Sequence, residues 1–278
     1  MRVTWQTFDG VEAQVYEPEE GTRAAILFCP GFPGMGATIF EQRHAAALVD
    51  QGYAVYVIKH KGTKLYGPMA PVMVNNAARL MRARGNRETH LGGGAATIHD
   101  WMVEPSFVLK ALDEKYDAVH VIGNSFGALS AMWSMAQDDA AIGKVKSLLL
   151  YAGAQGVWED GNPESIARIW RPDFLRLPRI TEKVELNDPA EIVDNLKEFY
   201  MALPERVKAL PKSIPITYLV VEQDEILRMD DTSVFDDAIG GRGVTVVDRV
   251  DHAWPDHGFL AHDTTNYQTE DLLELIRT

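Results

Sequence analysis

A serine between two glycines, in the segment G-N-S-F-G at residues 123–127, carries the clearest chemical signal in the sequence. The apolar run Ala118–Ile122 before it is typical of a strand, and the small-residue segment Ser125–Gln137 is typical of a helix. A serine on a tight strand-to-helix turn has a strained backbone, and flanking glycines keep neighbouring side chains away. The helix amino terminus brings N–H groups to any developing negative charge. We therefore predict that Ser125 is a nucleophile; the alternative is a glycine-rich phosphate or packing turn.

A serine hydroxyl needs a base to take its proton, and the base needs an orienting carboxylate. With candidates in the chain order Ser, Asp, His, the sequence resembles the α/β-hydrolases over nearly its whole length. In that family the acid follows the strand after the cap insertion. The resemblance therefore implies Asp224, which follows the apolar segment Tyr218–Val221. Glu222, Glu225 and Asp230 are nearby rivals, and a solvated acidic loop is the alternative interpretation.

Two histidines follow the last apolar strand, Val244–Val247. His252 lies five residues past that strand, about where the family has its base, and Trp254 could pack beside it. The resemblance therefore implies His252 as the general base. His257 is the second candidate.

An attacked ester carbonyl becomes an oxyanion, which two backbone N–H groups should bind. The resemblance implies that Phe126, the residue after the nucleophile, supplies one. The family takes the other from the loop after its third strand, which here reads C-P-G-F-P-G at residues 29–34. Phe32 is the natural donor, since Pro30 and Pro33 have no N–H. Pro30 stands where the family usually has a histidine, so the sequence does not show which hydrogen bonds hold this loop in place.

Short apolar strands alternate with longer helical stretches, a pattern typical of an α/β protein with a mostly parallel central sheet flanked by helices. The resemblance makes this an α/β-hydrolase fold with a helical cap insertion. An Asp-Gly pair at residues 9–10 predicts a hairpin turn. The predicted strands are Val3–Phe8, Glu12–Glu17, Ala24–Cys29, Ala54–Lys59, Ala118–Ile122, Val145–Tyr151, Ile216–Val221 and Val244–Val247. The predicted helices are Thr38–Asp50, Asp100–Tyr116, Ser125–Gln137 and Tyr267–Arg277.

The predicted division of the chain is a hydrolase core at residues 1–154 and 213–278, with a helical cap or lid at 155–212. An irregular basic insertion interrupts the core at 60–98. Residues 59–90 carry seven bases against one acid, Glu88, in a chain that is otherwise acidic. This segment is either a rim that attracts an anionic substrate or partner chain, or a solvated surface.

Composition restricts the class of protein. The 278 residues are 46% hydrophobic and 24% charged, as in globular proteins. The net charge of −13 disfavours nucleic acid and anionic membranes as partners. A secretory signal and an apolar run of about 20 residues are not found, so we expect a cytoplasmic protein. The only cysteine, Cys29, is interpreted as a buried small hydrophobe, and no grouping of residues has metal-ligand spacing.

These features predict a serine hydrolase that cleaves a carboxylic ester or related acyl compound through an acyl-enzyme. We expect a small-molecule substrate, no metal and no cofactor, and self-association stays open. The same triad would also serve a carbon–carbon bond hydrolase, an acyltransferase or a peptidase. A ligand-binding α/β-hydrolase without catalysis is the alternative that is not an enzyme.

Overall fold

The computed structural model describes residues 1–32, 34, 37, 40–63, 97–151, 171–181, 184–220, 237, 245–248 and 268–277. The strands in these residues are β1 (Arg2–Phe8), β2 (Val11–Glu17), β3 (Ala24–Cys29), β4 (Tyr53–Lys59), β5 (Ala118–Asn124), β6 (Val145–Tyr151), β7 (Ile216–Val220) and β8 (Thr245–Asp248). They form one 8-stranded sheet in the order β1-β2-β4-β3-β5-β6-β7-β8. From β4 to β8 all neighbours in the sheet are parallel, whereas β2 runs antiparallel to both β1 and β4.

The described helices are α1 (Ala46–Asp50), α2 (Ile98–Lys115), α3 (Phe126–Met135), α4 (Pro172–Leu175), α5 (Pro178–Thr181), α6 (Pro189–Val207) and α7 (Thr269–Arg277). A π-helical turn, Glu41–Ala45, leads into α1, so the helix predicted over 38–50 is not uniformly α-helical. Helices α4 to α6 lie between β6 and β7 in the chain. None of the described helices is long and apolar enough to cross a membrane.

The hairpin predicted at residues 9–10 is confirmed. Asp9 and Gly10 have φ angles of 47° and 90°, and Phe8 pairs directly with Val11. A two-residue turn with φ > 0 at both positions matches the right-handed twist of the strands that it joins. The pair therefore sets the register of β1 against β2.

Two apolar clusters cover the two faces of the sheet. One contains buried residues of α2, α3 and α6, and the other contains buried residues of α1 and α7. β4 is buried along its whole length and β3 nearly so, as expected for parallel strands covered on both faces. The predicted fold class, a mostly parallel sheet flanked by helices, is confirmed. Its consequence for function is that β4, β3 and β5 end side by side at one edge.

A polar network at the other side of the molecule joins β2 to the end of α2. The Glu17 carboxylate accepts hydrogen bonds from Arg2 at 2.6 Å, Lys115 at 2.5 Å and the Tyr116 hydroxyl at 3.2 Å. Lys115 also donates to the Tyr56 hydroxyl at 3.0 Å. Burial tends to raise the pKa of Glu17, but the hydrogen bonds from Lys115 and Arg2 outweigh it and hold that pKa below its ordinary value.

This network predicts a pH-dependent contribution to stability. Because the pKa of Glu17 is lowered on folding, its contribution is complete above the unfolded pKa of about 4.3 and is lost as pH falls through the folded pKa. Glu17→Gln should lower the free energy of unfolding by about 1–3 kcal/mol at pH 7. Urea denaturation should show that the gap from wild type narrows at pH 3. Glu19→Gln is the control: Glu19 is exposed, its partner among the described residues is the chain amino terminus, and its substitution should have no measurable effect.

Candidate active site

Ser125 lies in the turn between the end of β5 and the start of α3. Its backbone has φ 52° and ψ −121°, a conformation that L-residues rarely adopt. Ser125 is partly exposed, whereas its neighbours Asn124 and Phe126 are buried. The turn therefore presents the serine side chain at the carboxyl edge of the sheet, where α/β proteins bind their ligands. This is the geometry of a nucleophile elbow.

Backbone packing explains both glycines of the motif. A Cβ on Gly123 would lie 2.5 Å from Ala128 Cα and 2.7 Å from the Gly127 carbonyl oxygen. A Cβ on Gly127 would overlap the Cys29 carbonyl oxygen at the end of β3. The glycines therefore allow α3 to pass close to both strands at the point where Ser125 is presented.

The loop after β3 lies against the nucleophile turn. A Cβ on Gly31 would be 2.9 Å from Ser125 Cβ and 3.2 Å from the Asn124 carbonyl oxygen. The same loop closes a turn in which the Gly34 N–H donates to the Gly31 carbonyl at 2.6 Å. The backbone at Gly31 therefore approaches Ser125 closely.

The indole ring of Trp101 contacts the side chains of both residues predicted for the oxyanion hole, Phe32 and Phe126. The Phe32 ring centroid is 5.3 Å from that of Trp101, and the Phe126 ring centroid is 5.9 Å from it. Trp101 on α2 is fully buried. The structure thus brings together three of the predicted site residues, Ser125, Phe32 and Phe126.

Sequence reasoning missed His60 and Glu104. His60 directly follows β4, and its Nδ1 lies 2.5 Å from Glu104 Oε2. Its Nε2 lies 3.1 Å from the Pro30 carbonyl oxygen. Its ring stacks on Trp101 at 4.4 Å between centroids. The signal that could have found His60 was its position immediately after a buried strand; Glu104, inside a helix, gave none.

Of the seven bases in residues 59–90, predicted as a charged rim or a solvated surface, Lys59 belongs to neither. Lys59 is buried, and its Nζ lies 2.7 Å from Glu41 Oε2 in the π-helical turn. The Lys61 ammonium lies 3.4 Å from both carboxylate oxygens of Asp100 at the start of α2. Lys59 therefore compensates a buried carboxylate and adds nothing to a charged rim. The remaining basic residues, from Lys64 to Arg87, lie outside the described residues.

Cys29 is buried and carries a free thiol, which confirms its interpretation as a small core residue. Burial raises the pKa of this thiol above its ordinary value, with a smaller contribution in the same direction from the Glu104 carboxylate. A thiol kept protonated in the core is a poor nucleophile. In the described part of the chain, no group of three or more His, Cys, Asp or Glu side chains could hold a metal ion.

The candidates for the acid and the base lie outside the described residues. For the acid they are Asp224 and its rivals Glu222, Glu225 and Asp230, and for the base they are His252 and His257. The strands that precede them are described. β7 ends at Val220 and β8 at Asp248, and both run parallel to β5. The roles of Asp224 and His252 remain predictions.

Helix α6, from the region predicted as a cap, packs against α2 and α3 of the core. The Phe199 ring meets Trp133 of α3 edge-on at 4.6 Å and lies 5.6 Å from His99 of α2. These three residues, with Glu191 and Glu198, line a cavity of about 520 Å³. Ser125 is not among the residues that line this cavity.

The described sheet, with Ser125 in the turn from β5 to α3, has the α/β-hydrolase fold, and structural comparison agrees. An esterase from Exiguobacterium antarcticum superposes with a TM-score of 0.62 over 100% of both chains, at 13% identity. A lipase-esterase related protein from Clostridium acetobutylicum has a TM-score of 0.56 over 96% of this chain and 99% of its own, at 12% identity. The esterase Est1E from Butyrivibrio proteoclasticus, solved with ferulic acid bound, has a TM-score of 0.55 over 99% and 100%, at 15% identity.

At these identities the likeness concerns the fold. No protein-family model matches the chain, and no curated protein sequence matches it either.

Proposed function

We propose that this protein is a serine hydrolase that cleaves a carboxylic ester of a small molecule. One observation carries the proposal: a partly exposed serine at φ 52° and ψ −121° in a strand-to-helix turn, with the Gly31 backbone against it. Such a turn stores strain, and strain of this kind is typical of catalytic serines.

In the proposed mechanism the Ser125 hydroxyl oxygen attacks the ester carbonyl carbon while His252 accepts the hydroxyl proton. Asp224 orients His252 and stabilises its positive charge. The N–H groups of Phe32 and Phe126 bind the resulting oxyanion, after which the alcohol leaves with the proton from His252. Water then attacks the acyl-enzyme with the same base, releasing the acid and restoring Ser125.

Strand topology supports Asp224 and His252 as the partners of Ser125. β5, β6, β7 and β8 are adjacent and parallel, so their carboxyl ends share one edge. Neighbouring strands are about 4.8 Å apart, so β7 ends roughly 10 Å from β5, a gap that a loop and a side chain can span. Asp224 and His252 each follow the carboxyl end of one of these strands within four residues.

The choice of an ester rests on the structural neighbours, which are described as esterases or as esterase-related. A carbon–carbon bond hydrolase, an acyltransferase and a peptidase would use the same residues. Comparing p-nitrophenyl esters of rising chain length with a diketone and a peptide amide separates these activities. Residues 155–212 are proposed as the cap that shapes the substrate pocket.

A fluorophosphonate probe tests the serine mechanism directly. The Ser125 oxygen should displace fluoride from phosphorus and form one P–O bond, while the base takes the proton. Intact mass should show one label per chain, and peptide mapping should assign it to Ser125. His252→Ala should slow labelling by roughly 10³-fold or more, whereas His257→Ala should label nearly as fast as wild type.

The two histidine variants are matched controls for each other. The reverse pattern would assign the base to His257. A folded wild-type protein that stays unlabelled at neutral pH would overturn the hydrolase proposal and favour a binding protein without catalysis.

A further inference from the structure

Three neighbouring strand ends bring His60 beside the loop that approaches Ser125. β4, β3 and β5 are adjacent and parallel, and they end at Lys59, Cys29 and Asn124. The residues that follow, His60, Pro30 and Ser125, therefore lie in a row along the carboxyl edge. His60 is only 1% exposed and Glu104 3%, so water cannot replace their hydrogen bonds at low cost.

The direction of one His60 hydrogen bond follows from its acceptor. A carbonyl oxygen can only accept, so Nε2 must carry a proton and donate it to Pro30 at 3.1 Å. Glu104 holds the ring in this orientation through Nδ1 at 2.5 Å. The other Glu104 oxygen accepts the Lys61 N–H at 2.9 Å, which ties the carboxylate to the same segment. The bond to Pro30 fixes the Pro30–Gly31 peptide plane.

The next peptide plane is also fixed. Its carbonyl, that of Gly31, accepts the Gly34 N–H at 2.6 Å. In a planar trans peptide the N–H points opposite to the carbonyl, so this bond sets the direction of the Phe32 N–H. The turn that ends at Gly34 packs against the segment that follows His60. Gly34 has φ +92°, and a Cβ there would lie 2.8 Å from Thr63 Cγ2. The Thr63 N–H in turn donates to the His60 carbonyl at 3.1 Å.

Trp101 extends this arrangement to the second proposed donor. Its ring stacks on His60 with an interplanar angle of 9° and meets the ring of Phe126 at 68°. Its Nε1 donates to the Lys61 carbonyl at 2.8 Å. The segment after β4 is thus held by α2, and it holds the loop after β3.

We propose that His60, oriented by Glu104, is a positioning residue for the oxyanion hole. It acts by donating the Nε2 proton to the Pro30 carbonyl, which holds the Phe32 N–H where the oxyanion forms. It supplies from the end of β4 a side-chain hydrogen bond that Pro30, with its apolar ring, cannot supply. This inference rests on the proposed hydrolase function.

Two variants isolate the bond to Pro30. In Glu104→Gln, the amide can donate to Nδ1 and still accept the Lys61 N–H, so His60 keeps its Nε2 proton and its bond to Pro30. In the double variant His60→Phe/Glu104→Gln, an aromatic ring still stacks on Trp101 but cannot donate, and no buried charge is left unpaired. Hydrolysis of p-nitrophenyl acetate, measured well below each variant's Tm, gives kcat and KM separately.

We expect kcat of the double variant to be at least about 10-fold lower than that of Glu104→Gln, with KM nearly equal in the two variants. The loss should be smaller than the roughly 10²–10³-fold that removal of an oxyanion donor costs. Equal kcat in the two variants overturns the inference. A wild-type protein that neither hydrolyses esters nor reacts with the fluorophosphonate overturns the proposed function, and this inference with it.

A measurement on the wild-type protein covers the case in which the double variant does not fold. With ¹⁵N-labelled histidine, the Nε2 proton of His60 should give a slowly exchanging NMR signal, assigned by its loss in a soluble His60 variant such as His60→Gln. Phosphonylation of Ser125 should change the chemical shift of this signal, because a phosphonyl oxygen bound to the Phe32 N–H alters the loop to which His60 is hydrogen-bonded. A signal that does not move on phosphonylation overturns the inference.

Discussion

Replacing Ser125 by alanine is expected to lower kcat for p-nitrophenyl acetate by a factor on the order of 10⁶, the loss typical when a triad serine is removed. The change deletes one oxygen from a partly exposed side chain and leaves the backbone of the turn and its glycines in place. KM and the far-UV circular dichroism spectrum should therefore stay close to those of wild type. The measurement is steady-state hydrolysis corrected for the spontaneous rate.

Ser125→Gly separates activity from stability at the same position. Glycine adopts φ 52° and ψ −121° without the steric cost that a Cβ brings. This variant should be as inactive as Ser125→Ala. It should unfold at a higher urea concentration than Ser125→Ala does, with a free energy of unfolding about 1 kcal/mol higher. Substantial activity in either variant would remove Ser125 from the mechanism. A glycine variant no more stable than the alanine variant would mean that the turn stores no strain.

Gly127→Ala is expected to lower the free energy of unfolding by more than about 3 kcal/mol. The new methyl group would overlap the Cys29 carbonyl oxygen and crowd that of Pro30. Both atoms belong to backbone at the end of β3, so they cannot move aside as a flexible side chain could. The substitution should also reduce esterase activity, because relief of the clash displaces the loop that approaches Ser125.

Gly143→Ala is the matched control. A Cβ at this exposed turn would meet only the Asp113 carboxylate, at 3.4 Å and 3.8 Å, which is ordinary van der Waals contact. Urea denaturation should give a free energy of unfolding within about 0.5 kcal/mol of wild type. If Gly127→Ala changed the free energy of unfolding as little as Gly143→Ala, the close packing of α3 on β3 described above would be contradicted.

Much of the fold could be predicted because its signals are local. β3 and β6 are predicted with the bounds that the structure gives. For β3 the reason is its burial on both faces, which requires apolar residues along the whole strand. The Asp-Gly turn was predictable because few residue pairs accept φ > 0 twice. The nucleophile turn was predictable because a strand, a serine between glycines and a helix follow one another directly.

Other features could not be predicted, because they depend on residues far apart in the chain. Lys59 reads from the sequence as one of seven bases in a basic segment, yet its ammonium pairs with Glu41 in the π-helical turn, and both side chains are buried. His60 and Glu104 are 44 residues apart, and neither belongs to a recognisable motif. The π-helical turn at Glu41–Ala45 was also missed, because hydrophobic periodicity does not distinguish it from an α-helix at this length.

The sequence by itself therefore determined the class of fold and the turn that presents Ser125, since both follow from short segments whose hydrophobicity and glycine spacing permit few alternatives. Only the tertiary structure decided what supports the loop beside Ser125. Among the described residues, that support includes a hydrogen bond from His60, one from Gly34 and the contact of the Phe32 ring with the buried Trp101 ring. These groups meet because adjacent parallel strands place their carboxyl ends at one edge of the sheet. The order of strands in the sheet differs from their order in the chain, so it cannot be inferred from sequence separation.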